Sequence, residues 1–78
     1  MIEQMRLDFP AAAKAEGWSV EEQADIGLAI KAAIAAGDAE ALAYWAKRIA
    51  DGAAQWRAWC ERVREAEANI KAARKESA

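Results

Sequence analysis

Seventy-eight residues form a chain of 8.5 kDa, which is one small domain near the lower size limit for a core without disulfides or metals. The chain has no histidine and one cysteine, so an internal disulfide is excluded, and the usual zinc sites and most hydrolase mechanisms lack their histidine. A formal net charge of −2 argues against a dedicated binder of duplex DNA. We therefore expect no enzyme activity, no metal and no cofactor.

The composition predicts a single all-α domain over residues 1–78. Alanine contributes 23 residues, whereas there is one proline and no threonine, a balance that favours helix over strand. The larger apolar side chains number only 20, so the core must be small. Four tryptophans in so short a chain are the one excess that points to recognition.

The first segment predicts a short helix. Asp8 can cap a helix that begins at Phe9 and Pro10, because proline is tolerated in the first turn. Residues 2–7 can form an earlier helical turn. The segment ends where Gly17 and Trp18 precede Ser19.

A second helix is predicted from about residue 20 to residue 36. Ser19 and Glu22 form the S-x-x-E pattern of a capping box, and Gly37 is a good left-handed C-terminal residue. Asp38 can cap the next helix at once, so the two helices should form an antiparallel hairpin. The stretch Ile34 to Trp45 resembles the inter-helix turn of helical-repeat proteins.

The last segment carries an apolar seam that predicts one long helix from about residue 39 to residue 75. Its spacing alternates three and four residues without a slip. The seam consists of Leu42, Trp45, Ile49, Gly52, Trp56, Trp59, Val63, Ala66 and Ile70. A break at Asp51 and Gly52 is the alternative, but the register continues through it.

Counting back from the turn at Gly37 predicts how the two arms pair. In a simple hairpin Phe9 falls opposite Ala66 and Met5 opposite Ile70, so that the short arm consists of two helices. The helix around Ile26 and Ile34 is apolar on nearly all sides and needs contacts beyond one hairpin. We expect these from dimerisation into a four-helix-type bundle or from another protein; the sequence leaves monomer and dimer open.

Charge is distributed unevenly along the chain. Residues 1–40 contain three basic and eight acidic side chains, whereas residues 41–78 contain eight basic and five acidic ones. Antiparallel packing of the halves would use this asymmetry, and a basic helix facing outward is the alternative. A basic helix with tryptophans could hold single-stranded nucleic acid, but its arginines alternate with glutamates, which argues against nucleic acid as the main partner.

The candidate binding residues are aromatic and arginine side chains on or beside the seam. Seam tryptophans can fill the core or form an interface hot spot, and the sequence leaves both open. Trp18, in a glycine corner, is the tryptophan expected to be most exposed. The proposed partner-binding residues are Trp18, Tyr44, Trp45, Arg48, Trp56, Arg57, Trp59 and Arg64.

These features predict a small protein that acts by binding a larger protein, as an inhibitor or adaptor. Small size, abundant alanine and missing catalytic residues are similar to phage-encoded inhibitors of host proteins such as anti-CRISPR proteins, a type without a shared motif. The alternatives are a structural homo-oligomeric bundle and a nucleic-acid-binding accessory protein. With no signal peptide, no membrane-length apolar run and one cysteine, we expect a cytoplasmic location.

Overall fold

The described part of the chain forms three α-helices. The computed structural model describes residues 2–77 and the side chains of residues 2–75. The helices are α1 (Ile2–Glu16), α2 (Val20–Ala36) and α3 (Ala39–Ser77), so the predicted all-α architecture is confirmed. The molecule measures 62 × 23 × 15 Å. It is elongated because the 39 residues of α3 extend for about 58 Å at the rise of an α-helix.

The cap predicted at Asp8 is wrong. Asp8 was expected to cap a helix that starts at Phe9, but α1 starts at Ile2, and Asp8 and Pro10 both lie inside it. Residues 2–7 are helical, as the sequence allowed, but they belong to the same helix. Pro10 removes one backbone donor from the helix, and its side chain is exposed. The residues before Asp8 are good helix formers, and Met5 packs into the core, so contact with α3 stabilises the early turns.

A tight corner between α1 and α2 reverses the chain. The amide of Trp18 donates to the carbonyl of Ala13 at 3.0 Å, after Gly17 adopts a φ of +70°. Ser19 Oγ accepts from the amide of Glu22 at 3.1 Å, which is the first hydrogen bond of the predicted capping box. Gln23 Nε2 donates back to the carbonyl of Trp18 at 3.1 Å. The corner therefore forms hydrogen bonds both with the end of α1 and with the start of α2.

Removing the Ser19 hydroxyl should weaken the start of α2. Ser19→Ala leaves the Glu22 amide without its side-chain acceptor, and we expect the free energy of unfolding to fall by about 1 kcal/mol. Ser19→Asp keeps an acceptor and should lose less than half of this amount. Urea unfolding at one fixed protein concentration measures both variants; equal losses would show that the cap contributes nothing.

The hairpin turn between α2 and α3 follows the prediction. Gly37 adopts a φ of +66°, a left-handed conformation that costs glycine little. The amide of Asp38 donates to the carbonyl of Ala33 at 2.9 Å, and Asp38 Oδ1 accepts from the amide of Ala41 at 3.1 Å. One glycine and one aspartate thus end α2 and begin α3, which makes the two helices antiparallel.

Helix α3 is continuous through Asp51 and Gly52, so the predicted long helix is confirmed and the break is excluded. Gly52 is buried because α1 crosses α3 at this point. A Cβ atom added to Gly52 would lie 3.1 Å from the Cβ of Ala12 and 3.2 Å from its Cα. Glycine at this seam position therefore serves a close approach of two helices, not a turn.

The predicted position of α1 is wrong. Met5 was expected opposite Ile70, at the far end of α3. Instead Met5 packs in the core with Ile49, Ala12 meets Gly52, and Ile70 is exposed. The corner at Gly17 turns α1 back beside α2, so α1 runs in the same direction as α3 and covers its first half. Small side chains at the crossing let the two helices approach closely, which a count along the chain could not show.

The core is small and is formed mainly between α1 and α3. Among the described residues, its one fully buried large side chain is Ile49. The buried cluster consists of Met5, Ala12, Ala13, Trp18 and Ile49, and the partly buried side chains packed against it are Phe9, Ile26, Ile30, Trp45 and Ala46. All side chains from residue 61 to residue 75 are exposed, and we call this part of α3 the projecting segment. A third of α3 thus lies outside the core.

Candidate functional site

The eight candidate residues separate into two groups along α3. Trp18, Tyr44, Trp45 and Arg48 come together near the start of the helix and form what we call the Tyr44 cluster. Trp56, Arg57, Trp59 and Arg64 lie further along, where α3 leaves α1. The structure therefore places the eight candidate residues in two groups and not in one.

Arg48 organises the Tyr44 cluster. Its guanidinium lies 5.6 Å from the ring centroid of Trp18 and 5.5 Å from that of Trp45, within the range of cation–π contacts. Its Nη1 donates to the hydroxyl of Tyr44 at 3.1 Å. The rings of Tyr44 and Trp45 meet edge to face with centroids 5.1 Å apart. The side chain of Arg48 thus contacts three aromatic rings.

The exposure predicted for Trp18 is wrong, because this residue belongs to the core. Trp18 is buried, with its ring centroid 5.7 Å from that of Phe9. The guanidinium of Arg48 lies over the same Trp18 ring. Tyr44 is instead the exposed member of the cluster, at 55%, while Trp45 and Arg48 are half-buried.

The second group lies around Trp56, which is half-buried between two grooves. Lys14 Nζ lies 5.5 Å from the centroid of Trp56, and Arg62 lies 5.9 Å from that of Trp59. The groove that contains Lys14, Trp59 and Arg62 has a volume of about 490 Å³. The other, about 440 Å³, is lined by Arg57, Cys60 and Arg64 among others. Basic side chains therefore surround this tryptophan on both sides.

Arg57 has a structural partner that the sequence did not reveal. It donates to Asp8 Oδ1, and Gln4 Nε2 donates to Asp8 Oδ2 at 3.0 Å, although Asp8 is itself buried. The hydrogen bond from Gln4 and then that from Arg57 lower the pKa of Asp8 below its ordinary value, against the opposing effect of burial. Arg57 therefore connects α1 to α3.

An apolar stripe continues along the projecting segment of α3. Trp59, Val63 and Ile70 are large seam residues that remain exposed, at 52%, 36% and 53%. The face of α3 that packs on α1 at Ile49 and Gly52 thus extends beyond the core without a cover. Trp59, the most exposed of the candidate tryptophans, belongs to this stripe.

A second uncovered apolar surface lies between α1 and α2, and we call it the α1–α2 groove. Its volume is about 300 Å³. Sequence analysis missed this groove because it predicted α1 beyond the end of α2, not beside it. The described residues that line it are Ile2, Met5, Arg6, Phe9, Pro10, Gln23, Gly27, Ile30, Lys31 and Ile34.

Cys60 is a half-buried free cysteine in the middle of α3. No cluster of three or more acidic or cysteine side chains with metal-binding geometry occurs among the described side chains, those of residues 2–75. Within residues 2–77, none of the helices combines the length and the apolar character that crossing a membrane requires. Comparison with protein-family models, with curated proteins and with solved structures finds no match.

Proposed function

We propose that this chain is a non-enzymatic protein-binding module, of the inhibitor or adaptor kind, that contacts a larger protein through the Tyr44 cluster. The observation that carries the proposal is the packing of Arg48, which contacts both Tyr44 and Trp45 while Tyr44 stays exposed. Tyrosine, tryptophan and arginine are the residue types most enriched among interface hot spots. We place the protein in the cytoplasm because its single cysteine suits a reducing compartment.

The contacts within the Tyr44 cluster suit it to binding, because they restrict its side chains before a partner arrives. A side chain that is already ordered loses little conformational entropy when a partner covers it. Arg48 donates one N–H to Tyr44, and its guanidinium lies over two indole rings. The remaining N–H donors of the guanidinium can reach a carboxylate or carbonyl of a partner. The partner surface should therefore offer an apolar pocket for the Tyr44 ring with an acidic or carbonyl oxygen at its edge.

Replacing Tyr44 tests the proposal without touching the core. We expect a protein that wild-type bait retains from a cell lysate to be lost at least about tenfold with Tyr44→Ala, since hot-spot truncations cost about 2 kcal/mol or more. Tyr44→Phe keeps the ring and should retain most of the binding. Leu28→Ala is the matched control because Leu28 is also a large exposed side chain, at 64%, but lies on α2.

Two results would count against protein binding at this cluster. Equal retention of all captured proteins by wild type, Tyr44→Ala and Leu28→Ala would remove the role of Tyr44. Binding of a labelled single-stranded oligonucleotide that falls steeply with added salt would favour the nucleic-acid alternative. Between residues 61 and 75 three glutamates are interleaved with five basic residues, and this pattern is why we rank that alternative lower.

A structural homodimer is the second candidate function, and a different observation favours it. The chain exposes both the apolar stripe of α3 and the α1–α2 groove. Covering the exposed parts of Val63 and Ile70 would stabilise an assembly by about 1–2 kcal/mol each. Dimerisation and binding through the Tyr44 cluster use separate surfaces, so the two candidates are compatible.

A further inference from the structure

Two uncovered apolar surfaces on one chain can cover each other when two copies of the chain associate. We propose that the apolar stripe of α3 binds in the α1–α2 groove of a second copy, and that the second copy returns the same contact. The result is a two-fold symmetric dimer in which each body is completed to four helices by the projecting segment of its partner. This inference develops the homodimer candidate and does not involve the Tyr44 cluster.

The lengths of the two surfaces agree. The stripe runs from Trp59 to Ile70, and the α2 wall of the groove runs from Gln23 to Ile34. Each covers eleven residue steps along a helix, or about 16 Å. The described lining of the groove contains no residue of α3, so the chain's own long helix leaves it open.

The direction of the two helices follows from symmetry. A two-fold axis that places each projecting segment beside the other body makes the two α3 helices antiparallel. Because α2 is antiparallel to α3 within each chain, the projecting segment runs parallel to α2 of the second copy. The heptad seam keeps the stripe on the same face of α3 as Ile49 and Gly52, which pack on the chain's own α1.

Parallel alignment gives a register with matching shapes. Each stripe residue then meets the α2 residue 36 positions earlier in the numbering, which pairs Trp59 with Gln23, Val63 with Gly27 and Ile70 with Ile34. A Cβ atom added to Gly27 would meet no atom within 4 Å, so there is open space at the point that Val63 would fill. The exposed side chains of Ile70 and Ile34, at 53% and 42%, would cover each other.

Charge agrees with the same register. Among the described residues that line the groove, the charged ones are Arg6 and Lys31, and both are basic. Glu67 lies at the edge of the stripe, one residue beyond the seam position Ala66, and falls beside Lys31 of the second copy. In this register the acidic side chain of Glu67 thus meets a basic side chain of the groove.

Light scattering on a size-exclusion column tests the dimer, at two protein concentrations about tenfold apart. Wild type should show a dimer mass at the higher concentration. Val63→Glu in the stripe and Ile34→Glu in the groove should each raise the dimer dissociation constant at least about tenfold, because each buries a charge in an apolar contact. Leu28→Glu and Ala68→Glu add the same charge outside both surfaces and should remain within about twofold of wild type.

Mixing the two interface variants identifies which surfaces meet. The Val63→Glu chain keeps an intact groove and the Ile34→Glu chain keeps an intact stripe, so an equimolar mixture restores one of the two contacts. Partial recovery of the dimer mass is expected from the mixture and from neither variant alone. Circular dichroism of each variant verifies that the helices are retained.

Two outcomes would overturn the reciprocal dimer. A monomer mass for wild type at both concentrations excludes it. A dimer that Val63→Glu dissociates while Ile34→Glu does not, with no recovery on mixing, shows that the stripes pair with each other. Neither outcome bears on protein binding at the Tyr44 cluster, because Tyr44→Ala is measured by capture and leaves both apolar surfaces unchanged.

Discussion

Gly52→Leu should detach α1 from α3 and lower the free energy of unfolding by about 3 kcal/mol. Even a Cβ atom at this position would lie 3.1 Å from the Cβ of Ala12 and 3.2 Å from its Cα, and a leucine side chain would extend into the backbone of α1. Small domains have few kcal/mol to lose, so a large fraction of the variant should be unfolded or partly opened. Urea unfolding followed by tryptophan fluorescence measures the loss.

Gly27 provides the matched control for this prediction. It also lies inside a helix, but an added Cβ meets nothing within 4 Å. At a protein concentration that keeps the chain monomeric, Gly27→Ala should therefore gain the helix propensity of alanine and stabilise the protein by about 0.8–1 kcal/mol. Gly52→Ala should fail to show this gain because of the contact with Ala12. If both alanine variants gained equally and Gly52→Leu were stable, the crossing at Ala12 would not hold α1 in place.

Arg57→Ala should lower the free energy of unfolding by about 2 kcal/mol at neutral pH, the typical value of a hydrogen bond to a charged group. The substitution leaves the buried carboxylate of Asp8 with Gln4 as its remaining hydrogen-bond donor. Arg64→Ala is the control, since Arg64 lies two turns further along the same side of α3 and is exposed. It should change stability by less than about 0.5 kcal/mol. Equal effects of the two variants would contradict a structural role of Arg57.

The cost of Arg57→Ala should depend on pH in a defined direction. Since the pKa of Asp8 is lowered in the folded protein, the contribution of its charge is present above the unfolded value near 3.8 and is lost as pH falls through the folded value. The difference between wild type and Arg57→Ala should therefore shrink below about pH 4. Unfolding curves between pH 2.5 and 7 would measure it, with the range chosen on the reference pKa of aspartate; a difference that stays constant would show that Asp8 is not the group involved.

Local features of this fold could be predicted because their causes are local. The hydrogen bond at Ser19 and the turn at Gly37 and Asp38 involve residues within five positions of one another. The continuity of α3 followed from a seam whose period is a property of the helix itself. In each case the residues that interact are close to one another along the chain.

The candidate site could be predicted only in part. Tyr44, Trp45 and Arg48 form a cluster partly because they lie within one turn of α3, so their proximity is visible in the sequence. The burial of Trp18 against Phe9 was not visible, because it depends on the direction in which the corner at Gly17 sends α1. The exposure of Tyr44, and not of Trp18, is a consequence of that direction.

The amino-acid sequence by itself determined α2 and α3, their caps and the apolar face of α3, because backbone hydrogen bonds and side-chain period act over a few residues. Only the tertiary structure decided that α1 folds back on the first half of α3. That choice depends on a contact between Ala12 and Gly52 and on an ion pair between Asp8 and Arg57, residues 40 and 49 positions apart. Small side chains and single charges occur throughout this chain, so their pairing across such distances leaves no pattern to read. The same choice leaves the stripe of α3 and the α1–α2 groove uncovered.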